Sequence, residues 1–213
     1  MTRPRTVSSG RGEAVPGGRR PARQTEKAFI AAATDLFAEK GYNGTSIADL
    51  ANELGLTTAS LYYHVSGKQD LLLRVLDAGM SNFLTRLEDV VLQDVEHRDK
   101  LRLAVENHLD FVLTKQNAVA VFLRERRFLE STERDQYQSR VDRYDHLFTI
   151  LIQDAMDAQE IPAGDAILVR LSILGMINWV VEWYQPGGRL SKSEISGSMA
   201  DLIMDRMLAR PIA

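Results

Sequence analysis

Apolar residues recur along most of the chain at steps of three and four, the spacing that lines one face of an α-helix. No alternating apolar–polar stretch bounded by hairpin turns interrupts them, so the pattern predicts an all-α fold. Phe29, Ala33, Leu36 and Phe37 share one face of a helix over about 25–40, and Gly41 ends it. A second helix follows Thr45 with Ile47, Leu50, Ala51 and Leu54 inward, and Gly55 breaks it. A third, short helix is expected over about 57–64. Ser66 and Gln69 stand at the spacing of a capping box and predict the start of a fourth. Longer helices are expected at about 98–115, 118–130, 133–159, 165–184 and 192–208. Within 133–159, Tyr137, Val141, Tyr144, Phe148, Leu151 and Ala155 alternate steps of four and three. Pro186-Gly187-Gly188 is a hard stop, and Ser191 with Glu194 forms a second capping box ahead of the last helix.

The 165–184 segment is apolar nearly all round: Ile167, Leu168, Leu171, Ile173, Leu174, Ile177, Trp179, Val180 and Trp183. A helix without a polar face must be covered on both sides. One side then faces the interior and the other a second copy of the chain, which with the 192–208 helix predicts a homodimer closed by a two-fold four-helix interface. Gly175, Asn178 and Glu182 form a narrow stripe on this helix, open to a role at the seam or toward a ligand. His108 lies in an apolar stripe with Leu101, Ala104, Val105, Leu109 and Val112, as a satisfied core histidine or a ligand contact.

Composition changes the picture mainly through charge. The 213 residues carry a net charge of −3, but residues 1–23 hold six arginines against one glutamate. This arm has almost no apolar content and is expected to be disordered when free. Residues 24–70 hold three lysines against six acids. The absence of cysteine and the presence of only four scattered histidines speak against a disulfide or a metal site. There is no glycine-rich phosphate loop, zinc-ligand spacing or nucleophile elbow, so neither a cofactor nor an enzymatic activity is expected. No unbroken run of eighteen apolar residues predicts a membrane span, and the arginine-rich N-terminus lacks the apolar stretch of a secretory signal. A cytoplasmic location is expected.

Two short helices joined by a tight glycine turn, over about 46–64, form the pattern of a helix-turn-helix. The first is buried on one face, and the second presents Thr57, Thr58, Ala59 and Ser60, a slim polar front able to enter a major groove. Residues 25–72 resemble the DNA-binding domain of the TetR family of bacterial repressors. The resemblance rests on Ala32, Leu36-Phe37, Gly41-Tyr42-Asn43-Gly44-Thr45-Ser46-Ile47, Leu50-Ala51, Leu54-Gly55-Leu56 and Leu61-Tyr62-Tyr63-His64, followed by Lys68. The family usually has Phe where Val65 stands. The resemblance implies double-stranded operator DNA as partner, with Thr45 and Ser46 on phosphate and Thr57, Thr58, Ala59 and Ser60 facing the groove. It further implies Tyr63, His64 and Lys68 as backbone clamps, with Tyr62 either beside them or simply packed. The chain then divides into a basic arm (1–23), a DNA-binding unit (24–68) and a helical ligand-binding and dimerisation unit (69–213).

Asn178-Trp179 and the stretch from Trp183 through Ser191 to Glu194-Ile195 resemble a TetR subgroup that includes fatty-acid and sterol catabolism repressors. That resemblance implies a small-molecule inducer of the acyl-coenzyme A class, with a free fatty acid or another lipophilic or aromatic inducer as the alternative. Candidate ligand-binding residues are His108, Phe111, Phe122, Tyr144, Phe148, Trp179 and Trp183. Arg126 and Arg127, with Arg124, could grip the phosphates of such a ligand or form a solvated face with Glu125 and Glu130.

Overall fold

The computed structural model describes residues 22–209, and every regular element among them is helical. The arginine arm lies outside the described residues except at its end, where α1 (Ala22–Gly44) already includes Ala22 and Arg23. Gly41 ends the regular run of α1 as expected: its φ of 73° lies in the left-handed region that a Cβ disfavours. Next come α2 (Ile47–Glu53) and α3 (Thr58–Tyr62). The long α4 (Lys68–Val91) leads to α5 (His97–Thr114) and α6 (Gln116–Glu125), which tightens into a 3₁₀ turn at Arg126–Phe128. Then follow α7 (Ser131–Asp157), α8 (Ala166–Asn178), α9 (Val180–Trp183) and α10 (Lys192–Asp201).

The long helices pack where their apolar stripes predict. α4 lies against α7 and α5, α10 closes over α5, and α1 rests on both α4 and α6. One continuous apolar core runs from Phe29 to Leu208, with Phe37, Phe148, Leu72, Leu109 and Ile152 fully enclosed. The union of α1 with α4 and α6 sets the orientation of the first three helices on the remaining ones.

Three local expectations need correction. Ser66 and Gln69 do not form a capping box; the Asp70 carboxylate accepts the Ser66 N–H at 2.9 Å, and Gln69 Nε2 donates to the Phe128 carbonyl at 2.8 Å. A glutamine pulled toward a tertiary acceptor cannot also reach back along its own helix. The single helix at 165–184 is two, interrupted at Trp179, where a Glu182 N–H to Trp179 carbonyl bond of 3.1 Å tightens the turn. The last helix passes into a π-helical turn at Leu202–Met207. There Arg98 of α5 takes the Met204 carbonyl at 2.6 Å, drawing it out of the regular ladder. The Ser191–Glu194 capping box forms as the sequence predicts.

Candidate nucleic-acid interface and effector core

α2 begins with a capping box in which Ser46 Oγ accepts the Asp49 N–H at 3.1 Å and Asp49 accepts the Ser46 N–H at 2.8 Å. The Ser46 hydroxyl and then the Ser46 N–H, both donating to the Asp49 carboxylate, hold it below the usual carboxylate range. α2 ends in a Schellman turn: Leu56 N–H donates to the Ala51 carbonyl at 2.8 Å and Gly55 N–H to the Asn52 carbonyl at 3.1 Å. That turn needs a left-handed residue, and Gly55 supplies it with φ of 65°. Thr57 then caps α3, its hydroxyl accepting the Ser60 N–H at 3.1 Å. Leu50, Ala51 and Leu61 are buried, which locks the two helices together and turns Thr58, Ala59 and Ser60 outward.

Tyr63 is 88% exposed and Tyr62 56% exposed. Two adjacent aromatic side chains this exposed form an outward shoulder beside α3. The His64 ring is also exposed, set 5.0 Å from Phe29 and edge-on to Tyr63 at 5.2 Å. Tyr62, Tyr63 and His64 therefore continue the outward surface of Thr58–Ser60.

Two expected phosphate ligands take other roles. Thr45 is 2% exposed, and its hydroxyl donates to carbonyls of α1, at 2.9 Å to Gly41 and 3.2 Å to Leu36. It ties off orphan carbonyls at the end of α1 rather than facing outward. The Lys68 ammonium donates to the Tyr42 carbonyl at 2.8 Å and the Thr45 carbonyl at 2.9 Å, 4.2 Å above the Tyr42 ring. Lys68 is a strut between α4 and the α1–α2 turn, because those carbonyls lie within its reach.

Among the later helices, His108 of α5 is buried and satisfied at both nitrogens. Its Nδ1 lies 2.7 Å from the Tyr144 hydroxyl of α7, and its Nε2 lies 3.1 Å from Asn178 Oδ1 of α8. With the amide oxygen as acceptor, Nε2 carries the proton and Nδ1 accepts from tyrosine. Burial lowers the His108 pKa to about 4, so the imidazole is neutral. Burial likewise raises the Tyr144 pKa. Phe83 joins the histidine to Phe111, with ring centroids 4.5 Å and 4.1 Å away respectively. Phe148 continues this aromatic column beyond Tyr144 at 6.0 Å. The column is tightly closed: the void beside Phe83, His108 and Tyr144 measures about 10 Å³.

The other ligand candidates divide. Phe122 is half-buried, edge-on to Tyr137 at 6.3 Å. Trp179 and Trp183 do not line the interior; they are 64% and 47% exposed on the outer face of α8 and α9. Ile167, Leu168 and Leu171 share that exposure. The interruption at Trp179 and the narrow inward stripe of Ala166, Ile173, Ile177 and Val180 leave these large side chains outside. Arg124 is paired with Glu182 at 2.6 Å. Arg126 and Arg127 are exposed and lie over the Phe122 and Phe128 rings at 5.0 Å and 4.9 Å. Glu125, expected on the solvated face with them, is instead buried and accepts the Tyr42 N–H at 3.0 Å.

That Glu125 contact belongs to a junction that sequence reasoning missed. The Tyr42 ring stacks on Phe128 at 5.4 Å, and Asn117 of α6 donates to Asp35 of α1 at 2.8 Å. The partners stand 82 to 86 positions apart, and no periodicity within either helix announces them. The one available signal was a glutamate inside an arginine cluster.

A capped, glycine-turned helix pair with an exposed polar front and an aromatic shoulder defines a helix-turn-helix protein, its remaining helices packed into the same continuous core. Residues 29–75 match the model of bacterial regulatory proteins of the tetR family, and residues 94–207 match the tetracyclin repressor-like C-terminal domain. The chain belongs to the TetR family, whose members are DNA-binding transcription regulators and not enzymes. It is 24% identical over 185 residues to the HTH-type transcriptional repressor KstR2 of Rhodococcus jostii, covering 86% of this chain and 90% of that protein. It is 23% identical over 178 residues to the fatty acid metabolism regulator protein of Bacillus subtilis, covering 83% and 92%. The solved structure of AibR in complex with isovaleryl coenzyme A and operator DNA superposes with a TM-score of 0.76 at 27% identity, covering 84% of this chain and 97% of that one.

Proposed function

We propose that the protein is a dimeric repressor that leaves its operator when an acyl-coenzyme A thioester binds the effector helices. The likeness to AibR, whose solved complex holds isovaleryl coenzyme A together with operator DNA, supports the two ligand classes, and release from the operator is our reading of how they are coupled. The curated relatives named as a repressor and as a fatty acid metabolism regulator support its direction and its ligand class. Within the chain, the aromatic column from Phe111 to Phe148 is the apolar interior that an acyl chain would enter, with His108, Tyr144 and Asn178 as its polar waypoint.

Groove contact falls to Thr57, Thr58, Ala59 and Ser60, with Ser46, Tyr62, Tyr63 and His64 around them. The exposed apolar face of Ile167, Leu168, Leu171, Trp179 and Trp183, continued by Leu202 and Met207, is the proposed homodimer face. This face also accounts for Ala166–Trp183 being long and apolar enough to cross a membrane by composition alone. Such a regulator works in the cytoplasm.

Mapping the DNA fragments the protein binds across a bacterial genome supplies the operator, and titrating ligands against the bound complex supplies the inducer. Lauroyl-coenzyme A should release the operator, weakening binding about 5- to 150-fold through a coupling of about 1–3 kcal/mol. Release by lauric acid with no response to the thioester would assign the free acid instead.

A further inference from the structure

A well-defined opening among the described residues lies outside the aromatic column. It is a cleft of about 570 Å³ where α1 meets α4 and the α5–α6 corner. That volume falls within the range of about 300–1,000 Å³ usual for small-molecule sites. Its floor is apolar, with Ile30, Val75 and Phe111, while Lys27 and Lys115 stand at its margin. Asp35, the one acid lining it, is occupied by the amide of Asn117 at 2.8 Å. Two lysines over an apolar floor match an amphiphile with an anionic head.

We propose that this cleft receives the phosphate-bearing head of a coenzyme A thioester and admits its acyl chain to the effector core past Phe111 and Phe83. The proposal rests on the thioester reading above and gives that ligand a place and a route. Phe111 lines the cleft, and its ring lies 4.1 Å from that of Phe83. Phe83 in turn lines the small void beside His108 and Tyr144. One aromatic pair therefore separates the wide cleft from the polar centre of the core, and rotation of these two rings joins them. Arg126 and Arg127 need no part in this arrangement, since they lie over Phe122 and Phe128 and do not line the cleft.

The placement also accounts for coupling to DNA. One wall of the cleft is α1, whose Phe29, Ala33 and Phe37 belong to the core beneath the helix-turn-helix. The other walls belong to the effector helices. A ligand wedged between them binds best at one angle of α1, and that difference in affinity is what shifts the equilibrium away from the operator-binding arrangement. The Asp35–Asn117 hydrogen bond spans the same junction and would be strained or broken by the wedge.

Gly79 of α4 provides the test. It lines the cleft, and a Cβ built on it meets nothing within 4 Å. Leucine at this position therefore fills the cleft while favouring the helix, since glycine is the weaker helix former. Binding of lauroyl-coenzyme A to the full-length dimer is measured by calorimetry for wild type, Gly79→Leu, and Lys27→Ala with Lys115→Ala. Melting temperature and operator affinity serve as controls for folding. Gly79→Leu should weaken thioester binding at least tenfold with an unchanged or raised melting temperature. The lysine pair should weaken the thioester by about tenfold, as loss of charge-assisted phosphate contacts does, and should weaken lauric acid, which offers a single carboxylate, less. Wild-type affinity in both variants overturns the cleft as the site and leaves the thioester reading intact. Loss in Gly79→Leu with no effect of the lysine pair overturns the assignment of the head group. Failure of the wild-type protein to bind any thioester overturns both readings together.

Discussion

Acid should weaken this protein through one buried imidazole. His108 has both nitrogens occupied, by Tyr144 at 2.7 Å and Asn178 at 3.1 Å, and burial lowers its pKa from the ordinary 6.5 to about 4. As pH falls through 6.5, the unfolded chain takes up a proton at this position and the folded one does not. Stability is therefore complete above that value and is lost progressively down to about 4. Each tenfold loss of proton affinity corresponds to about 1.4 kcal/mol. The full difference is therefore about 3 kcal/mol, of which about 2 kcal/mol is already lost on going from about pH 8 to about pH 5. His108→Gln removes the titrating group and keeps an amide able to serve the same partners. Urea denaturation followed by circular dichroism at both pH values, at equal protomer concentration because the protein is proposed to be a dimer, gives four stabilities. The wild type should lose about 2 kcal/mol more than the variant on acidification. Equal losses would show that the imidazole is solvated or charged in the folded protein, and the argument from burial would fail.

Lys68→Met should lower stability by about 1–3 kcal/mol, since it strips charge-assisted bonds from the Tyr42 and Thr45 carbonyls. It should leave the salt dependence of operator binding unchanged; a slope reduced by about 0.9 with normal stability would make it a phosphate clamp after all. Tyr63→Ala should weaken binding to all DNA sequences alike, whereas Ser60→Ala should change base preference, and selection from a randomised operator pool distinguishes the two. Leu168→Asp with Leu171→Asp, at side chains 63% and 57% exposed, should yield folded monomers in sedimentation, and an intact dimer would move the interface elsewhere.

Much of this protein is legible in the residue order because the signals are local. Steps of three and four decide helices, Gly41 and Gly55 decide where two of them end, and Ser191 with Glu194 decides where another begins. The helix-turn-helix is of this kind, since its turn, cap and outward front all lie within about twenty consecutive residues. Periodicity also placed His108, Tyr144 and Phe148 on inward faces, where they are found.

What the order of residues left open is decided by partners far away along the chain. Lys68 is a charged group beside a DNA-facing motif, and only the tertiary fold shows the Tyr42 and Thr45 carbonyls that claim it. Trp179 and Trp183 carry the same apolar signal whether they face a core or a partner, because hydrophobicity states that a side chain will be covered without stating by what. Glu125 reads as one more charge in a solvated cluster until Tyr42, brought in from α1, presents an N–H for it to accept. The cleft beside Gly79 has no sequence signal at all, since it is the space left open where the separately encoded surfaces of α1, α4, α5 and α6 converge.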